Sequence, residues 1–160
     1  IGPGAMWIAA LTAALLPIER LVEPDRADGV LDQLLLHGVA DELTAMAKII
    51  AHWLTFAPLL LLAAVPASAL LGMDGTALAR TAAALAVGTP GLAALAVMIA
   101  AVTAGLPRAG SLAGLLLFPL AVPLLIFGAA NALLLEAAIS LGLVAIAPFG
   151  AGAAIRASRT

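Results

Sequence analysis

The chain has no cysteine, and only 10% of its 160 residues are charged. The first absence excludes disulfides, thiolate metal sites and cysteine redox chemistry, and leaves the compartment open. The second excludes a soluble domain of this size, because so few charges cannot cover a water-facing surface. Catalytic motifs are missing as well: there is no H-E-x-x-H, no G-x-S-x-G, no Walker A loop and no pair of carboxylates at one membrane depth. The expectation is a non-catalytic chain without a metal site. If it moves a solute uphill, the scarcity of intramembrane acids and bases favours a partner over ions as the source of energy. The net charge of -2 gives no reason to expect nucleic acid as a partner.

What the chain does have is apolar sequence, 64% of its residues. Runs that approach or exceed the length needed to cross a hydrocarbon core of about 30 Å lie near 3–18, 49–71, 78–103, 112–131 and 137–155. The expected fold is all-α, a polytopic transmembrane helix bundle with five spans in this stretch. The first run is barely long enough, and the sequence opens on Ile1 with no basic n-region and no cleavage site. A longer natural chain is therefore expected, with about 50 upstream residues carrying one more helix and a basic N-terminus. With five spans, 19–48, 105–110 and 156–160 fall on one side. That side holds Arg20, Arg26, Lys48, Arg108, Arg156 and Arg159, against Arg80 alone on the other. The imbalance predicts that the first of these segments and the C-terminus are cytoplasmic.

Inside the spans the residues read as packing. Pro58, Pro66, Pro90, Pro119, Pro123 and Pro148 are expected to kink or break helices whose neighbours cover the freed carbonyls. Gly110 and Gly114 stand at the small-xxx-small spacing of close helix contact. Trp7 and Trp53 read as aromatic-belt residues near membrane boundaries, and Asn131 and Glu136 as a solvated turn. His52 reads as lying one turn into a helix that starts at Lys48. An imidazole there can ligate haem iron or carry protons; more often it sits among headgroups or bonds a neighbouring helix.

One short segment, "EPDRADGVLDQLLLHGVADEL" at 23–43, collects most of the acids. Asp28 can cap a helix beginning near Gly29, with Asp32 in its first turn; Gly38 can end it, and Asp41 can cap the next. Val30, Leu31, Leu34 and Leu35 share an apolar face, with Asp32, Gln33 and His37 elsewhere. An amphipathic helix lying on anionic lipid carries Lys and Arg rather than acids, so a protein partner fits better than the bilayer. The plainer alternative is an interfacial helix that only braces the bundle.

Six stretches together resemble the haem exporter protein B family of permeases, a membrane component of cytochrome c maturation. They are "GAMWIAALTAALLPIERL" at 4–21, "DGVLDQLLLHG" at 28–38, "AKIIAHWLTFAPLLL" at 47–61, "GTP" at 88–90, "FPLAVPLLIFGA" at 118–129 and "APFGAGAAIR" at 147–156. The resemblance implies a six-helix fold similar to type-2 exporters of the ATP-binding-cassette class, in the bacterial inner membrane. It implies as partners a cytoplasmic ATPase subunit and other cytochrome c maturation membrane proteins, with the bilayer as solvent and haem as cargo of the complex rather than a bound cofactor. ATP hydrolysis in such a complex is associated with release of a haem-loaded chaperone. On this view 1–160 is one permease domain and 19–48 its coupling segment, with Asp28, Gly29, Leu31, Asp32, Leu34 and Leu35 facing the ATPase. The sequence departs from the pattern at His37-Gly38, where Ser-Pro is usual, at Asp32 for Glu, and at Ala121 for an aromatic residue. Two other classes share some of these features: a type-2 permease for a lipid or drug, and a membrane scaffold without a conducted substrate.

Overall fold

A computed structural model describes residues 1–159, all of its regular elements helical: α1 Gly2–Leu15, α2 Ile18–Leu21, α3 Glu23–Ala27, α4 Val30–Leu36, α5 Asp41–Leu70, α6 Gly75–Thr103, α7 Ala109–Ala129 and α8 Leu133–Ala157. The last four are each long and apolar enough to cross a bilayer, and α1 with the segment after it forms a fifth, bent element. The expected polytopic bundle is therefore present. α1 alone, at 14 residues, is about 21 Å long. It stops before Pro17, which has no N–H to continue the ladder, and the chain turns by 44°.

α6 is the axis of the bundle. Its sequence from Ala84 to Ala101 is mostly Ala, Gly and Thr with a few Leu and Val, and nearly all of it is buried. Small side chains let neighbouring backbones approach, which is what drives helix association where lipid is as apolar as leucine. α1, α5, α8 and α7 pack around it, each also touching the next. These outer helices turn their large apolar residues outward, as Leu59 and Leu62 of α5, Phe118 and Ile126 of α7, and Phe149 of α8 do. The six internal prolines lie within helices, and none ends one.

Several expectations change once the helices are packed. Trp7 is not a belt residue: it is fully buried, its ring held where both Gly88 of α6 and Gly128 of α7 leave space that a Cβ would fill. Trp53 also turns inward, its indole N–H donating to Thr89 Oγ1 at 3.0 Å. Glu136 is not solvated; it is fully buried in the first turn of α8. Asn131, with φ of 54°, makes the left-handed turn between α7 and α8. His52 lies in the twelfth position of a helix that begins at Asp41, well beyond one turn.

Candidate functional site

The residues between α1 and α5 form a small helical shelf at the end of the bundle where 104–108 and the C-terminal end of α8 also lie. Gly29, at φ 73°, is the N-cap of α4 and no side chain caps it. Asp28 thus does not play the expected capping role; it ends α3. At the other end the expectation for Gly38 holds. With φ of 82°, Gly38 donates its N–H to Leu35 O at 2.9 Å, and Val39 donates to Leu34 O at 3.0 Å. These paired bonds are a Schellman ending, which requires a left-handed residue and therefore favours glycine.

Asp41 is the first residue of α5 rather than its cap. Its buried carboxylate takes two bonds from Arg159, Nη1 to Oδ2 at 2.7 Å and Nη2 to Oδ1 at 2.9 Å. The same guanidinium donates Nε to Asp32 Oδ1 at 2.7 Å and Nη2 to Leu31 O at 3.0 Å. Arg159 therefore clamps α4 and the start of α5 to the C-terminal end of α8, and the Asp41 carboxylate beside it holds the guanidinium above its ordinary pKa. Three further ties complete the shelf. Lys48 Nζ donates to Leu21 O at 2.8 Å and pairs with Asp25. Glu23 accepts from Arg26 at 2.8 and 2.9 Å and from the Gly105 N–H at 2.6 Å. Arg156 pairs with Glu42.

This clamp decides which leucines remain free. Leu31 is only 3% exposed, packed into the chain's own core, so it does not belong to an outward face as expected. Leu34 is half-buried and lines an open groove of about 480 Å³, mostly apolar, with Val39, Leu43, Thr44, Ala47 and Ala51 and the paired Asp25 and Lys48. Leu35 stays 45% exposed and Leu36 85% exposed. Asp32 is exposed, and Gly29 serves the backbone rather than a contact. The free apolar edge is thus Leu35 and Leu36, with Val30 also exposed at the start of the helix. Leu36, about 140° around the helix from Leu31, lay outside the expected face. Only the inward rotation of Leu31, set by the packing, marks it.

His52 is buried and its Nε2 lies 3.1 Å from Ala14 O on α1, with its ring 5.0 Å from that of Phe56. With Nε2 as the donor, Nδ1 is the bare nitrogen, and it is sealed inside the bundle. The histidine bonds a neighbouring helix, as the plainer expectation had it. Among the described residues no group of three His, Cys, Asp or Glu is placed to hold a metal ion.

The sequence matches the family model described as CcmB protein over residues 1–158. A heme exporter protein B from Paracoccus denitrificans is 41% identical across 98% of this chain and 77% of its own length. Relatives of the same name are 38% identical in Haemophilus influenzae and 39% identical in Escherichia coli K12, each across 99% of this chain and 77% of the relative.

Proposed function

Because the chain belongs to the CcmB protein family, whose relatives bear the name heme exporter protein B, we propose that it is the membrane permease subunit of an ATP-binding-cassette complex for haem export and handling in cytochrome c-type biogenesis. It carries no catalytic machinery of its own; ATP is hydrolysed by a cytoplasmic partner subunit, and the stroke leads to release of the haem-loaded chaperone. Residues 1–160 act as one permease domain in the bacterial inner membrane, with the C-terminus cytoplasmic and 19–48 as the coupling segment.

The observation that carries this proposal is a short helix, clamped by Arg159, that presents Leu35 and Leu36 to a polar surface. Two bare leucines on a charged shelf are a surface that a protein partner would cover, which supports this reading. The groove beside Leu34 offers that partner a second apolar foothold. Burying one leucine is worth about 1.5–3 kcal/mol, and each 1.4 kcal/mol changes a dissociation constant about tenfold.

The test is co-purification of the ATPase with the full-length protein from its own membranes. Leu35→Asp with Leu36→Asp is expected to leave permease levels normal, to abolish ATPase recovery and to stop cytochrome c maturation. Leu31→Asp is expected to fail differently, by lowering the level of the permease, since it places a charge in the core. Full recovery of ATPase with the Leu35, Leu36 double variant would make α4 a bilayer brace and move the coupling contact to 105–110.

A further inference from the structure

Glu136 is the one fully buried acid among the described residues, and neither of its carboxylate oxygens has a hydrogen-bond partner. It sits in the first turn of α8, where the side chain reaches under α6 rather than out to solvent. The space it occupies exists because residue 88 is glycine: a Cβ there would collide with Glu136 Oε1 and with the far edge of the Trp7 ring. Gly88 lies 13 residues from the start of α6, about 20 Å along the helix, so the acid is deep within the bundle.

Among the described residues no charged side chain faces it. α1 and α7 contain no titratable residue, and α6 contains only Arg80, which is exposed and two turns away. On α5, His52 turns to Ala14 of α1, and Asp41, Glu42 and Lys48 belong to the shelf at the other end. On α8 itself the only other charged residue is Arg156. Next along the same face is Ser140, which is buried and accepts the Gly91 N–H at 3.0 Å. Trp7 Nε1 and Thr81 Oγ1 are buried and unpartnered as well, but neither bonds the carboxylate. An ionised carboxylate with no cation and no hydrogen bond is costly at such a site, by several kcal/mol, and protonation removes that cost.

We propose that Glu136 is a proton-binding site and that its bound proton is what lets α8 close against α6. Where α8 separates from α6 at Gly88 and water enters, the carboxyl ionises, so such an opening releases a proton and closure takes one up. The site lies far from the coupling shelf and does not depend on which solute the complex handles.

Two measurements test this on the full-length protein with its partners in lipid. The first is infrared spectroscopy at neutral pH. A protonated-carboxyl C=O band is expected that is missing from the Glu136→Gln spectrum. The second uses Ser140→Cys, as the single cysteine of the permease, to report opening of the seam to a water-soluble maleimide. The labelling rate is divided by that of the same reporter in a Glu136→Gln background, which cancels the thiol's own pH dependence. The quotient is expected to rise with pH, by up to about tenfold per pH unit where one proton is released on opening. Spectra that do not differ at the carboxyl band, or a quotient that stays flat from mildly acid to mildly alkaline pH, would overturn the proposal. Should Ser140→Cys fail to reach the membrane, the infrared comparison decides alone.

Discussion

Single atoms decide the fit around Trp7. Its ring is laid against two glycines, and a methyl group at either would overlap it. Gly88→Ala and Gly128→Ala should each destabilise the bundle by about 1–3 kcal/mol, the usual cost of overpacking. Gly142, with open space where a Cβ would stand, should accept alanine without loss. Thermal unfolding in detergent compares the three directly. His52 behaves as a packing residue for the same reason: its Nε2 is engaged by α1 and its ring by Phe56. His52→Ala removes the partner of Ala14 O, at about 1–3 kcal/mol for the group left unpaired. Holocytochrome c per unit of permease in the membrane should be unchanged by it. A complete loss at normal permease levels would show that the imidazole handles haem.

At the scale of the element, α4 is held from outside itself. It is seven residues long, has no side-chain cap and depends on Leu31 below and Arg159 beside it. Arg159→Gln leaves the buried Asp41 without its cation and releases α4 from α8. Hydrogen exchange of the amides at 31–36 should then accelerate by at least about tenfold, the equivalent of about 1.4 kcal/mol of lost tether. Amides in the buried middle of α6 should not change. ATPase recovery should fall in parallel, because a mobile α4 no longer offers Leu35 and Leu36 in a fixed place.

At the scale of the whole molecule, the bundle gathers the basic residues at one end. Arg26, Lys48, Arg156 and Arg159 all enter the ion pairs of the shelf, while Arg80 stands near the far tip of the α5–α6 hairpin. The positive-inside rule supports the proposal that the shelf is cytoplasmic and the turn at Gly72 is not. A topology reporter fused after residue 157 should be active only as a cytoplasmic marker, and one inserted at Gly72 only as an external marker. The opposite pattern would put the shelf on the wrong side of the membrane for a cytoplasmic ATPase and overturn its proposed coupling role.

Hydropathy and local backbone chemistry were enough to determine the helical class, the placement of the long spans, the common side of the basic segments and the glycine ending at Gly38. Each of these depends on residues close together in the chain. Which face of each span is inside was not legible, because in these helices every face is apolar and the 3.6-residue pattern carries almost no contrast. Trp7 reads as a belt residue and Glu136 as a solvated one because nothing near them in the chain marks the room that Gly88 and Gly128 leave. The same holds for the shelf. Leu31, Leu34 and Leu35 do share a side of α4, but the helix is turned by a guanidinium 127 residues away from Asp32 and 118 away from Asp41. Only the packing of α8 against α5 brings that charge to them, and a contact made by folding over such a distance leaves no periodicity in the sequence.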